Sequence, residues 1–333
     1  MAFERMINLE QSIVRKYVTK ENIKKKNRTD LIMKSVFTAA TILSSSFIIV
    51  IVIFIVVKGL NPFISDYVYT AATTGEVLFE GKVNVIDFLT GMQWAPPTLL
   101  GVGFIIINTV YVALLSLLVA MPIGTLTALF IAKIAPNKVA VVLRTTVELL
   151  ASVPSIIYGV FGSGVIVFIT KGLGNILGIS TVGGLGTMST VILLSMMILP
   201  TITTVAEVSI RSVSKEIEHG SLALGATKTQ TNFKVVLASA KSGIFTGAIL
   251  GIGRALGEAT AVSMVAGNLG IGPSFSFFER TRTLTSTMLQ GVHESTGLLY
   301  DIRFSIGIVL IITILITNAI LNAVKRKLGN LDE

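Results

Sequence analysis

Hydrophobic residues are grouped along this chain into six long, nearly uncharged stretches that polar segments separate. Each stretch approaches or exceeds the roughly 20 apolar residues that a helix needs to cross the hydrocarbon core of a bilayer. The stretches cover residues 35–57, 96–132, 149–170, 188–206, 242–266 and 304–324. The pattern therefore predicts an all-α integral membrane protein with six transmembrane helices.

The first two stretches differ from a simple spanning helix. Residues 35–57 are longer than the apolar core of a signal peptide and no small-residue cleavage site follows, so we expect a retained anchor helix. Residues 96–132 are too long for one straight crossing and contain Pro122. Because proline removes a backbone donor, we expect a kinked helix that extends past the bilayer, or a helix and a half.

The composition agrees with the membrane class. Hydrophobic residues make up 52% of the chain and charged residues 14%, with a mean hydropathy of +0.81, whereas a soluble domain carries about 25% charged residues. The chain has no cysteine, and its two histidines, His219 and His293, are far apart in sequence. The sequence therefore predicts neither a disulfide framework nor a metal site.

The net charge of +9 is distributed unevenly between the polar segments. If both termini are cytoplasmic, the inner segments hold 20 of the 27 Lys and Arg residues and the outer segments hold 6. Arg254 alone then lies within a spanning stretch. The positive-inside rule therefore predicts that both termini are cytoplasmic. Because the basic residues follow the topology, we expect no nucleic-acid partner.

This topology divides the chain into successive segments. Residues 1–34 are a basic cytoplasmic arm, 35–57 the first transmembrane helix and 58–95 an extracytoplasmic loop. A core with five transmembrane helices follows at 96–325, and residues 326–333 form a cytoplasmic tail. In the outer loop Trp94 is expected to be an anchor at the membrane interface.

The longest internal cytoplasmic loop, residues 207–241, contains signals for two short helices. Ser214 can cap a first helix, which Gly225 is placed to end, and the spacing of Thr227 and Gln230 forms a capping box for a second helix. Such a compact helix, turn and helix suits docking to a partner protein, and a plain connector is the alternative interpretation.

The same loop contains a nucleotide-binding decoy. Residues 220–227 read GSLALGAT, which is similar to a Walker A loop, but Ala226 stands where the phosphate-binding lysine must be. No strand is predicted before it. Any ATP chemistry is therefore expected on another chain.

The fifth stretch places glycines and charges on one helical face. At about 100° per residue, Gly243, Gly247, Gly251, Arg254 and Glu258 all fall within a stripe of about 80°. Glycines four residues apart allow a second helix to approach closely. Arg254 and Glu258 are also four apart, so their side chains can reach each other.

Arg254 needs a partner or a water-filled path, since an arginine near the bilayer centre costs about 2.5–3.5 kcal/mol on insertion scales. One interpretation is a salt bridge with Glu258 that locks two helices together. The other is an anion path, in which the forked guanidinium binds an oxyanion and Glu258 neutralises it when no anion is present.

Two motifs give the chain a resemblance to a known family. Residues 219–227, HGSLALGAT, look like the cytoplasmic EAA loop of permease subunits of binding-protein-dependent ABC importers. Residues 253–258, GRALGE, resemble the R-A-x-G-E signature of the Pst-type phosphate permeases. Residues 259–262, ATAV, and 90–96, TGMQWAP, are similar to the PstC-type subunit.

The resemblance implies a MetI-like permease core in a prokaryotic cell membrane. It implies a heterodimer with a PstA-type permease, cytoplasmic ATP-binding cassette subunits that hold ATP and Mg²⁺, and an extracytoplasmic binding protein that delivers phosphate. This chain would bind no cofactor and would not itself be an enzyme. Arg254 and Glu258 would line the substrate path. The residues implied in ATPase coupling are Glu218, His219, Gly220, Ala223, Gly225 and Ala226.

The sequence departs from the family pattern in the coupling loop. His219 stands at the position of the EAA glutamate, Glu218 lies one place early, and Ala238 replaces the proline that usually follows Leu237. The alternatives left open are a PstA-type role, a permease for another oxyanion, and a secondary transporter or channel that uses the Arg254 and Glu258 pair.

Overall fold

The computed structural model describes residues 20–71 and 75–329. Most of the predicted basic arm and the end of the predicted tail lie outside the described residues. Within them, six helices are long and apolar enough to cross a membrane, and these confirm the predicted six. They cover Asn27–Ile64, Gly103–Ile134, Ser155–Ile176, Thr187–Arg211, Lys228–Gly257 and Leu298–Lys327. The cytoplasmic location of both termini stays a prediction.

The described secondary structure is mostly helical. The α-helices are α1 Lys20–Ile64, α2 Val85–Thr90, α3 Gly103–Leu129, α4 Asn137–Ser152, α5 Ser155–Phe161, α6 Val167–Ile176, α7 Thr187–Arg211, α8 Lys215–Ala223, α9 Lys228–Gln230, α10 Leu237–Gly257, α11 Thr260–Val265, α12 Leu284–Leu289 and α13 Leu298–Gly329. Three turns of π-helix lie between or after these helices: Phe130–Ile134 continues α3, Gly162–Ile166 joins α5 to α6, and Thr231–Val236 joins α9 to α10. A 3₁₀ turn covers Val292–Glu294. Two antiparallel hairpins pair β1 Tyr67–Thr70 with β2 Val77–Gly81 and β3 Trp94–Ala95 with β4 Leu99–Leu100.

The chain divides into two compact units, residues 1–55 and 56–333. In the first unit the described part belongs to α1. The most apolar window of the span that begins there contains no buried residue. A long apolar helix without buried residues is stable where lipid surrounds it.

The core of the second unit lies between α3, α7 and α10. Ile198 and Ile202 of α7 and Ile252 of α10 are fully buried there. A Cβ placed on Gly124 of α3 would lie 3.0 Å from the Ile202 side chain. The absence of a side chain at Gly124 therefore lets α3 and α7 pack closely.

The helix predicted from residue 96 is wrong at its beginning, because α3 starts at Gly103. Pro96 and Pro97 lie between β3 and β4 in a short hairpin. Proline supplies no backbone donor, so a consecutive pair favours this turn over a helical extension. Pro122 lies inside α3, as the sequence predicts.

Trp94 also differs from its predicted role as an interfacial anchor. Its side chain is buried in a cluster with Val83 and Phe88, and its backbone N–H donates to the Gly270 carbonyl at 2.7 Å. The residue therefore holds the segment before α3 to the loop that follows α11.

A polar cluster joins the end of α1 to the start of α13. The Tyr67 hydroxyl donates to Asp301 Oδ2 at 2.7 Å, and Lys58 Nζ lies 3.7 Å from Asp301 Oδ1. Burial and the hydrogen bond to Asp301 raise the pKa of Tyr67 to about 12. Ser305 Oγ donates to the Gly59 carbonyl at 2.6 Å. These contacts fix the end of α1 and the start of β1 to the first turns of α13.

Candidate functional site

The glycines of α10 lie against α7. A Cβ on Gly247 would be 3.3 Å from the Ile202 carbonyl, one on Gly251 would be 3.0 Å from the Ile202 side chain, and one on Gly243 would overlap Ser209. The two backbones therefore approach closely along this stripe. Arg254 follows in the last turn of α10 and is half-buried.

Within the part of the chain that the structure describes, the positive charge of Arg254 is not paired with a carboxylate. Its Nη1 lies 3.4 Å from Thr201 Oγ1 on α7, which is long for a hydrogen bond. None of the ion pairs between described residues includes Arg254. The guanidinium is therefore available to an anion from outside this set of residues.

Glu258 does not continue the helical face of Arg254, and the predicted helical stripe is wrong at this residue. Helix α10 ends at Gly257, and Glu258 has extended backbone angles, φ −75° and ψ 117°. Its Oε1 accepts from the Ala261 N–H at 3.1 Å, at the start of α11. The fifth predicted stretch is therefore a broken helix, and the Glu258 carboxylate satisfies one of the backbone groups that the break exposes.

The broken segment has a second polar support that the sequence interpretation missed. Thr285 of α12 donates its hydroxyl to the Glu258 carbonyl at 2.7 Å. A capping box in which Thr283 and Ser286 exchange hydrogen bonds starts α12, and that spacing is the local signal that could have identified the helix. Beside the break, a cavity of about 320 Å³ is lined by Gly257, Thr285 and Arg303, among others.

Two arginines hold the loop between α11 and α13. Buried Arg282 donates from Nε to the Leu269 carbonyl at 2.6 Å and from Nη2 to the Asn268 carbonyl at 2.7 Å. Burial, with the charge of Arg303 as a smaller cause, lowers the pKa of Arg282 to about 10. Arg303 Nη1 donates to the Thr287 carbonyl at 2.9 Å. The loop and α12 are thus fixed beside the break.

The helix, turn and helix predicted for the loop 207–241 is confirmed. Ser214 caps α8 by accepting from the Glu216 N–H at 3.2 Å, and Gly225 follows the helix with φ +84°. Thr227 and Gln230 form the predicted capping box. The predicted coupling residues lie on and after α8: His219, Gly220, Ala223 and Gly225 are exposed, and Glu218 and Ala226 are half-buried.

Glu218 forms an ion pair with Lys133, which lies in the π-helical turn after α3. The sequence interpretation did not foresee this contact, because the two residues are 85 positions apart. The side chains are 16% and 20% exposed, so the pair is partly shielded from solvent.

A second charged cluster joins three segments. Arg144 of α4 and Arg211 of α7 both donate to Glu207 Oε1, from their Nε atoms at 3.1 Å and 2.8 Å. Arg211 Nη2 also donates to the Ile131 carbonyl after α3 at 3.2 Å. The hydrogen bond to Glu207 raises the pKa of Arg144. The contact between Glu207 and Arg211 could be predicted from their i, i+4 spacing. The contact with Arg144 could not, because that residue is 63 positions away.

Among the described residues, six helices can span a membrane, one of them carries Arg254 just before a break, and an exposed helix and turn lie between two spans. These features define a polytopic membrane transport subunit. Residues 120–330 match the family model described as "Binding-protein-dependent transport system inner membrane component". The chain belongs to this family. It is therefore a multi-pass plasma membrane protein and an ABC importer permease, of a family that works with ATPase and binding-protein partners.

Named relatives cover most of the chain. The "Probable ABC transporter permease protein YqgH" of Bacillus subtilis is 35% identical over 285 residues, covering 84% of this chain and 85% of the relative. The "Phosphate transport system permease protein PstC" of Xylella fastidiosa strain Temecula1 is 30% identical, covering 75% and 82%. A PstC protein of Mesorhizobium japonicum is 31% identical, covering 72% and 80%.

The fold is also similar to solved structures. A chain of a bacterial alginate ABC transporter in complex with its alginate-bound periplasmic protein superposes with a TM-score of 0.61. The match covers 91% of this chain and 96% of that chain, at 16% sequence identity. At that identity the similarity concerns the fold alone.

Proposed function

We propose that this chain is a PstC-type permease subunit of an ATP-driven importer of inorganic phosphate. The observation that carries the proposal is Arg254, a half-buried arginine within a spanning helix that pairs with no carboxylate among the described residues. A guanidinium fork suits the oxygens of phosphate in both charge and geometry. The relatives whose names specify phosphate transport support the same substrate.

In this proposal Arg254 binds phosphate transiently as the anion passes the break in the fifth span. Glu258 neutralises the guanidinium when phosphate is absent, for which its carboxylate must leave the Ala261 N–H that it binds in the described conformation. Phosphate shifts the conformational equilibrium only through a difference in affinity between the two states. The contact must therefore weaken when the site opens to the cytoplasm.

A second permease completes the path. A Cβ placed on Gly253 or Gly257 would meet no described atom within 4 Å, and Leu250, one turn before Arg254, is 53% exposed. This open side of α10 suits contact with a PstA-type subunit. An extracytoplasmic phosphate-binding protein delivers the anion, and ATP-binding cassette subunits, which hold ATP and Mg²⁺, act on α8 and on the turn at Gly225.

The test is phosphate uptake by the complete complex in liposomes. Arg254→Gln keeps hydrogen-bonding capacity but removes the charge, so we expect uptake to fall to background while the ATPase subunits still co-purify. Arg326→Gln, the same change at an exposed residue near the end of α13, is the matched control and should transport normally. Normal uptake by Arg254→Gln would remove this residue from the path.

The competing functions give different results in the same assay. A permease for another oxyanion would show ATP hydrolysis that sulfate stimulates and phosphate does not. A secondary transporter or channel would keep its uptake when the ATPase is inactivated and the proton gradient is intact. Loss of uptake under that condition supports the ATP-driven importer.

A further inference from the structure

Helix α8 is held to the rest of the chain with little hydrophobic packing. It buries none of its residues. Among the described residues, two polar side-chain interactions join it to other segments: the Lys133–Glu218 ion pair, and the hydrogen bond between the Ser221 and Thr231 hydroxyls at 2.9 Å. Because apolar burial normally fixes a short helix, the position of α8 depends unusually on these polar contacts.

Glu218 is the half-buried carboxylate of α8, whereas the neighbouring His219 is exposed. The acidic residue that lies one place early in the motif is thus directed toward its own chain. Charges that are largely shielded from water interact more strongly than fully exposed ones. The pair with Lys133 is therefore better placed to hold α8 than an ordinary surface pair.

Lys133 connects this contact to the helices of the site. The π-helical turn that carries it continues α3. Ala128 and Leu129 of α3 pack with Ile210 of α7 and with Val236, the last residue of the π-helical turn before α10. Farther along α3, Gly124 lies against Ile202 of α7. Because these helices are closely packed, a movement of α3 is transmitted to α7, which contains Thr201, and to α10, which contains Arg254.

We propose that the Lys133–Glu218 ion pair is the contact through which movement of α8 reaches the membrane helices, so that both are positioning residues for transport. The inference rests on the proposed function, because it takes the ATPase subunits to push on α8. Without the Lys133–Glu218 ion pair, α8 would move on the short segments at its ends, and ATP hydrolysis would proceed without the matching displacement of α3.

The experiment uses the complete complex in liposomes, with phosphate as the transported anion. For Glu218→Gln and Lys133→Gln we expect the phosphate taken up per ATP hydrolysed to fall about fivefold, with co-purification of the ATPase unchanged. The exchanged double variant Lys133→Glu with Glu218→Lys should recover most of the native ratio. Glu216→Gln, at an exposed carboxylate of the same helix, is the control and should match the native complex.

Three results would overturn the inference. The first is that both single variants take up as much phosphate per ATP hydrolysed as the native complex. The second is that the exchanged double variant takes up as little phosphate per ATP as the single variants. The third is loss of the ATPase from the single variants, which would mean that these residues bind the ATPase directly. If the native complex itself shows no phosphate-stimulated ATP hydrolysis, the proposed function fails, and this outcome is distinct from all three.

Discussion

Glu258 combines a structural role at the break between α10 and α11 with the role in transport that we propose. In the described conformation its carboxylate accepts a backbone N–H of α11, and its carbonyl accepts the Thr285 hydroxyl. Unpaired backbone groups at membrane depth are costly, so both hydrogen bonds stabilise the break. The proposed transport role requires, in addition, the negative charge of the residue.

Substitution of Glu258 can separate these two roles. Glu258→Gln keeps an acceptor oxygen, so we expect its thermal stability in detergent to stay near that of the native chain. Glu258→Ala removes the acceptor and should lower the free energy of unfolding by about 1 kcal/mol, the usual cost of a lost cap. Both variants should lower phosphate uptake, because both lack the charge. Native uptake by Glu258→Gln would restrict Glu258 to its structural role.

The sequence allowed part of this site to be predicted. Regular helix geometry was enough to place four residues on one face, because all of them lie within α10: Gly243, Gly247, Gly251 and Arg254. The break at Glu258 could not be predicted in that way. It is supported by a hydrogen bond from Thr285, which is 27 positions away and comes near only after the loop has folded back.

At the scale of elements, the contact between α7 and α10 depends on which glycine is substituted. A methyl group on Gly243 would overlap Ser209, and the nearest neighbours include that residue's Cβ, so the helices must separate. We expect Gly243→Ala to lower the free energy of unfolding by about 1–3 kcal/mol. The measurement is thermal unfolding of the purified chain in detergent.

Gly253→Ala is the matched control for this prediction. It lies on the same helix, and a Cβ there would meet no described atom within 4 Å. Alanine also favours a helix over glycine by up to about 1 kcal/mol. Gly253→Ala should therefore be as stable as the native chain or slightly more stable. Equal losses in the two variants would contradict the close contact at Gly243.

Elements with local signals were predicted well, and those with distant partners were not. The caps at Ser214 and Thr227 lie next to the helices that they start, so the loop 207–241 could be interpreted from its own residues. The burial of Trp94 accompanies a backbone hydrogen bond to Gly270, in a loop far along the chain that no local pattern reveals.

At the scale of the whole molecule, Glu207 connects segments that are far apart in sequence. It is 6% exposed and accepts from Arg144 of α4 and Arg211 of α7, and Arg211 in turn reaches the Ile131 carbonyl after α3. A buried carboxylate shared by two arginines is stabilised by both, and it holds three segments at one end of the helical core.

Removing the charge of Glu207 should loosen these three segments together. Glu207→Gln keeps the shape but removes the negative charge that the two arginines share, so we expect a loss of about 1 kcal/mol in the free energy of unfolding. The loss stays modest because the arginine side chains are 41% and 43% exposed and solvent screens them. Thermal unfolding measures the change, with Glu80→Gln at an exposed carboxylate of β2 as the control. If Glu207→Gln and Glu80→Gln both unfold like the native chain, the cluster does not stabilise the fold.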